Sequence, residues 1–442
     1  MNPDHRQSAS ELSAQMEDAH QRTLSLVDDL SDEQWLGPYL EIVNPPLWEV
    51  GHVGFFYEAF VLRNLEDRPL IIENGNELFN SFVIAHRARW NAPLPDRRQA
   101  LGYLDRVRGE VVERLAREAP GPWETYLALL SVYHEDMHGE AFMWTRQTHG
   151  YPTPQLAGRE DHGPDSSRSA LKGPHPGDVH IPGGLFRLGG TESMPFVFDN
   201  EKWAHPVQVE PFRMAKAPVT NEEFAQFVDD GGYGKKNLWD YEGWVWREET
   251  GAVHPGYWRK GNGGWEARQF DRWEPLSPHQ PVIHVNWYEA EAFCRWAGRR
   301  LPSEAEWELA ASAEPSRDGG GILPSKRLYP WGEETPSPSL ANLDGWSMGC
   351  LDVAALPEGD SAFGCRQMMG NVWEWTSSPF YPFPGYLLDQ PYKEYSAPWF
   401  GYRKVLRGGA WPTRGRMLRN SYRNFFTPDR RDVFAGFRTC AL

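Results

Sequence analysis

The stretch from Tyr126 to Arg146 constrains this chain more than any other, because it puts two histidines on the apolar side of a helix. Leu127, Leu130, His134, His138 and Ala141 recur at steps of three and four, the period at which side chains share one helix face. Both imidazoles are therefore expected to point inward, where a polar ring without a partner is costly. Either a metal ion holds the pair, for which the four-residue step is well suited, or both are core histidines with ordinary hydrogen bonds. In both cases other elements must cover the helix.

The preceding residues can supply that cover. Leu12, Met16, Leu24, Val27 and Leu30 have helical spacing between 11 and 30, and Ser31-Asp32-Glu33-Gln34 reads as a capping box. Asn44-Pro45-Pro46 reads as an N-cap followed by first-turn prolines, opening a helix through Trp48, His52, Phe55, Phe56 and Phe60. His52 falls on its apolar face, as a core histidine or a third ligand. Residues 98 to 118 carry Leu101, Leu104, Val107, Val111, Val112 and Leu115, and Pro120-Gly121-Pro122 closes that helix. A four-helix bundle over residues 1–151 follows, in which His52, His134 and His138 can converge on one ion.

Residues 152–178 are rich in Pro, Gly, Ser and His without periodicity and read as a linker. Beyond it, over 179–442, short apolar runs, glycine turns and aromatics replace the long stripes, interrupted by helical stretches at Trp287 to Gly298 and Glu304 to Ala311. The fold class is α+β, a helical bundle followed by an irregular mixed domain. A net charge of -16 argues against nucleic-acid and membrane partners. The opening Met1 to Arg6 precedes no apolar run and no stretch is long and apolar enough for a bilayer, so the expected location is cytoplasmic. Cys294, Cys350, Cys365 and Cys440 are widely spaced and read as reduced thiols.

Several runs then carry a resemblance. Pro281 to Trp287, Gly298-Arg299-Arg300-Leu301-Pro302-Ser303-Glu304-Ala305-Glu306-Trp307-Glu308, Gly370-Asn371-Val372-Trp373-Glu374-Trp375, Arg407-Gly408-Gly409-Ala410-Trp411 and Gly436-Phe437-Arg438 resemble the formylglycine-generating-enzyme, or sulfatase-modifying-factor, domain. That resemblance implies a C-type-lectin-like fold. The bundle resembles the DinB-like domain, whose metal histidines match His52, His134 and His138. The fusion of the two resembles the family of ergothioneine sulfoxide synthases, ovothiol synthases and selenoneine synthases. It implies mononuclear non-haem Fe(II), O2 as co-substrate and hercynine as acceptor. It also implies formation of a carbon to sulfur or carbon to selenium bond with oxidation of the chalcogen.

The same resemblance assigns candidate roles. Tyr422 to Arg431 matches the hercynine-binding loop, with Asn424, Phe425 and Phe426 at the acceptor and Arg430 near the donor. Read on chemistry alone, the two phenylalanines are equally packing residues and Arg430 a surface ion pair. Glu135 and Glu140 flank the ligands, as partners for imidazole N–H groups or, for Glu135, as a solvated side chain. Met137 stands where sulfoxide synthases carry Gln, and Phe383 occupies the slot of their proton-donating tyrosine, leaving Tyr381 and Tyr386 as catalytic candidates or packing residues. Arg87 and Arg89 are the donor-binding candidates. Within His86, Arg87, Arg89, Trp90, Pro93, Leu94 and Pro95 the pattern is closest to selenoneine synthases, whose donor is a selenosugar. The alternative donors are cysteine and γ-glutamylcysteine. Two readings from other classes are a formylglycine-generating oxidase using Cys365 and Cys440, and a lectin-like binding protein with a zinc-stabilised bundle.

Overall fold

The computed structural model describes residues 7–156, 172–390 and 392–442. The opening six residues and the middle of the expected linker lie outside them. Two compact units divide the chain, Met1–Arg159 with Glu192–Phe196 and Glu160–Thr191 with Val197–Leu442. No helix among the described residues is long and apolar enough to cross a membrane.

In the first unit four long helices, Ala9–Val27, Pro46–Tyr57, Arg97–Ala116 and Pro122–His149, pack as a bundle. Their ends are set by local chemistry. Ser8 and Asp96 close capping boxes with Glu11 and Gln99, and Gly150 stops the fourth helix in the left-handed conformation at φ 69°. The second helix does not begin with Asn44 as its cap. Pro45 is the cap residue and is extended at ψ 130°, because Pro46 behind it disfavours the helical region. The Asn44 side chain accepts a hydrogen bond from Arg89 instead, at 2.5 Å.

The fourth helix is buried around most of its circumference, and the expected single stripe understates this. Glu135, Asp136, Glu140 and Arg146 are buried along with Leu127, Leu130 and His134. Arg146 is tolerated there because it forks onto Asp29 at 2.7 and 2.6 Å and donates to the Leu26 carbonyl.

The second unit is built on short strands. Asp178–Ile181, Phe212–Ala215, Cys440–Ala441 and Arg299–Arg300 form one sheet in that order, which ties both ends of the unit together. Asn424–Phe426, Lys404–Arg407, Trp373–Pro379 and Ala435–Gly436 form a second. Its pairings are antiparallel except the last, which is parallel.

The fingerprint runs meet in its interior. Arg407 lies between Glu304, at 2.8 Å, and Glu308, which also binds Lys326. Arg423 forks onto Glu304 at 2.6 and 3.0 Å, and Arg438 onto Glu374 at 2.7 Å for both bonds. Trp307 donates to the same Glu374 at 2.8 Å. Apart from Lys326 these residues are almost entirely buried, so the motifs that carry the resemblance act as a paired scaffold.

Candidate metal centre and acceptor loop

His52 comes from the second helix, and His134 and His138 from consecutive turns of the fourth. One ring nitrogen from each can be chosen so that all three lie within 4.8 Å of one another. The orientation of two rings is decided by what their other nitrogens bind. His52 Nδ1 donates to the Phe79 carbonyl at 2.7 Å, and His138 Nδ1 donates to Glu49 Oε1 at 2.6 Å. Both Nε2 atoms are thereby left for the common point. His138 Nε2 lies 3.2 Å from His134 Nε2.

That spacing fits a shared ion. Two nitrogens about 2.1 Å from a metal and at right angles stand roughly 3 Å apart. The charges fit as well. Burial, then the neighbouring imidazoles, holds His52 and His134 well below the ordinary histidine range, which keeps both neutral and able to ligate. Glu49 is buried, and its second oxygen has no hydrogen-bond partner among the described residues. A bound dication would offset that carboxylate.

The walls around the ligands are aromatic. Phe56 stacks on His134 with centroids 3.6 Å apart, and Trp48 on His52 at 4.7 Å and 12°. Gly51 makes the His52 contact possible, because a Cβ there would sit 2.1 Å from the Phe79 ring. A larger residue would push away the segment whose carbonyl orients His52.

The partner of His138 is therefore Glu49, a residue that the sequence reading did not single out. Glu135 is not solvated: it is buried and accepts from Thr23 at 2.7 Å and Tyr57 at 2.9 Å. Glu140 is buried on the same helix, and Met137 is half-buried beside His138. Arg89 is 8% exposed, stacks 3.8 Å above Trp48 and donates to Asn44 and the Ser81 carbonyl. Burial depresses its guanidinium to about 10, an effect that Glu49 partly opposes. Arg87 is exposed and lies over the Tyr39 ring.

In the second unit the strand Asn424–Phe426 runs beside Lys404–Leu406. Phe425 stacks on Phe380 at 4.0 Å within a small core, which is a packing role. Phe426 is half-buried under Arg430, whose guanidinium forks onto Asp432 at 2.6 and 2.5 Å. Asn424 Oδ1 accepts from the Phe425 amide at 2.8 Å. Tyr381 is 54% exposed, and its carbonyl accepts from Arg423. Tyr386 donates its hydroxyl to Asp199 at 2.6 Å, and burial followed by that bond raises it above the ordinary phenol range. Phe383 is core, beneath Arg423. The four cysteines are free and buried; burial pushes Cys350 and Cys440 up to about 12 and Cys365 to about 11.

Kinship agrees with this arrangement. Residues 164–441 match the Sulfatase-modifying factor enzyme 1-like domain, and residues 15–141 match the DinB superfamily. The chain is 38% identical to the hercynine oxygenase of Mycolicibacterium thermoresistibile, over 97% of its own length and 94% of the relative. This chain belongs to the hercynine oxygenase family. The family proteins of Mycolicibacterium smegmatis and Mycobacterium tuberculosis are each 36% identical to it, with at least 95% of both chains covered. Membership makes the chain an oxidoreductase. A formylglycine-generating enzyme of Streptomyces coelicolor is also similar, at 31% identity, but matches only 60% of this chain. That match leaves the histidine bundle unexplained.

Proposed function

We propose that the protein is an Fe(II)- and O2-dependent synthase that joins a chalcogen to the imidazole carbon of hercynine and oxidises that chalcogen. The observation that carries this reading is the convergence of His52, His134 and His138 in a chain related to hercynine oxygenases over nearly its whole length. Ferrous ion held by these three imidazoles would supply one-electron chemistry and room for dioxygen and a chalcogen donor.

The protein's own groups orient and protonate. Asn424 and Phe426 hold the acceptor, with Phe425 packed behind them on Phe380, and a half-buried aromatic ring such as Phe426 beside its trimethylammonium group is worth about 0.5–2 kcal/mol. Arg430 is neutralised by Asp432, so it supports Phe426 rather than gripping an anion. Met137 contributes shape and no amide hydrogen bond. Tyr381, the more exposed tyrosine, is the proton donor through its Oη; the Tyr386 proton is committed to Asp199.

For the donor we propose a selenosugar. γ-Glutamylcysteine would present carboxylates that call for free guanidinium forks. Arg89 is taken up by Asn44, Ser81 and Trp48, which leaves Arg87. A thiol donor, cysteine or γ-glutamylcysteine, is the second reading. Four buried free thiols support a reducing compartment, the cytoplasm, and the net charge of -16 supports small-molecule partners over nucleic acid or membrane.

The test is anaerobic protein loaded with Fe(II), mixed with hercynine and each donor in turn, then exposed to O2, with adducts read by mass. The expected product is a hercynine selenoxide. A thiol adduct without a selenium adduct reverses the donor assignment, and no O2 uptake with any donor removes the proposal.

A further inference from the structure

Arg89 is a buried cation that makes no hydrogen bond to a carboxylate; the nearby negative charge that acts on it is Glu49. Its exposure is 8%, its hydrogen bonds go to the neutral oxygens of Asn44 and Ser81, and its Nε has no partner among the described residues. Keeping such a charge away from water is costly unless it is paired and hydrogen-bonded. It sits 3.8 Å over the Trp48 ring, and Trp48 lies nearly parallel to His52 at 4.7 Å. The stack brings the guanidinium within about 9 Å of a ligand ring, close enough for a unit charge to act through a medium of low polarity. Glu49 in turn places a carboxylate on His138. Two ligands of one group are thus flanked by charges of opposite sign.

We infer that Arg89 is a positioning residue of the metal group: through Trp48 it fixes the plane of His52, and its charge biases the bound iron toward the ferrous state against the pull of Glu49. This rests on the iron reading above, and it separates Arg89 from donor recognition. No bond forms or breaks at Arg89.

The experiment uses the full chain loaded with Fe(II), without hercynine or donor. Midpoint potentials are measured by spectroelectrochemical titration for wild type, Arg89→Gln and Arg89→Lys. Zinc affinity, measured by chelator competition, serves as a probe that carries no redox change. Removing the charge should shift the ferric to ferrous preference on the order of tenfold, a fall of about 59 mV, while zinc affinity stays within a few-fold. Arg89→Lys should retain most of the wild-type potential. Equal potentials in wild type and Arg89→Gln, or equal falls in both variants, would overturn the inference. Loss of zinc binding in both variants would make Arg89 a purely structural residue and overturn it too. A wild-type protein that takes up no iron would sink the functional proposal itself, a result distinct from the three outcomes above.

Discussion

Glu49 Oε1 and His138 Nδ1 meet at 2.6 Å between the second and fourth bundle helices, joining the carboxylate of one ligand-bearing helix to the imidazole of the other. The bond fixes the tautomer of His138, so Nε2 is the atom offered to a metal. Replacing Glu49 by Gln keeps the shape but removes the negative charge that draws the Nδ1 proton. Such partners typically govern metal affinity by about 10–100-fold. Glu49→Gln should therefore weaken Fe(II) and Zn(II) binding by that order, with Glu49→Asp intermediate, as measured by chelator competition. Unchanged affinity in Glu49→Gln would mean that the bond does not support the ligand.

The buried pairs of the second unit predict a stability effect. Arg407 neutralises Glu304 and Glu308 at once, in a place that excludes water. In Arg407→Met the methionine fills the space and leaves both carboxylates short of a partner, although Arg423 and Lys326 remain. Removing one member of a buried pair costs about 3–5 kcal/mol. The second unit should unfold at a clearly lower urea concentration while metal binding by the bundle persists. A midpoint within error of the wild type would show that the network is solvated.

What the sequence could and could not reveal follows from the range of each interaction. His52, His134 and His138 were legible because helical period is a local property and each sits on an apolar face. Glu49 stands three residues before His52 on the same helix, but its partner His138 lies 89 residues further on, a pairing that local spacing cannot report. Glu135 follows His134 directly, which turns it about 100° around the helix, toward Thr23 and Tyr57. The Phe79 carbonyl left no side-chain signature, and only Gly51 hints that another backbone comes close. The burial of Arg146 depended on Asp29, far away in the chain, and periodicity cannot report such pairs.

The two candidate tyrosines should separate in experiment. Tyr386 donates a hydrogen bond to Asp199, which also accepts from Ser396 at 2.5 Å, so its phenylalanine variant loses a part-buried hydrogen bond to a buried carboxylate. The expected cost for Tyr386→Phe is about 1–3 kcal/mol of stability from the unsatisfied Asp199, with the product unchanged. Tyr381 is exposed, and Tyr381→Phe should keep the wild-type melting temperature while the yield of oxidised adduct falls or the product changes. Product analysis and thermal melts of both variants check this. Full activity in Tyr381→Phe with a changed product in Tyr386→Phe would exchange the two roles.

The thiols allow a test of the competing formylglycine-generating chemistry. Thiolate is the reactive form, and burial holds Cys365 at about 11 and Cys350 and Cys440 at about 12. Native protein should resist iodoacetamide for hours at pH 7.5 and alkylate at all four positions once unfolded, by intact mass. Cys365→Ala and Cys440→Ala should keep hercynine-dependent O2 uptake within a few-fold. Loss of that activity in either variant without loss of fold would bring the cysteine chemistry back.

A pH dependence follows from His284 in the second unit. It is buried, with Nδ1 3.1 Å from the Arg431 carbonyl, and burial first, then the charges of Arg268 and Arg431, lowers it from 6.5 to about 3. Its folded value lies below its unfolded value, so between those limits the unfolded chain holds the extra proton. Stability from this group is therefore complete above about pH 6.5 and declines as pH falls, by at most about 1.4 kcal/mol per pH unit. Asn is the suitable replacement, since position 284 has φ 61°, a conformation that Asn accepts better than most residues. Between pH 7 and pH 5 the unfolding free energy of the wild type should fall faster than that of His284→Asn, by up to that slope. Parallel pH profiles in urea titrations of the two proteins would show that His284 does not carry the effect.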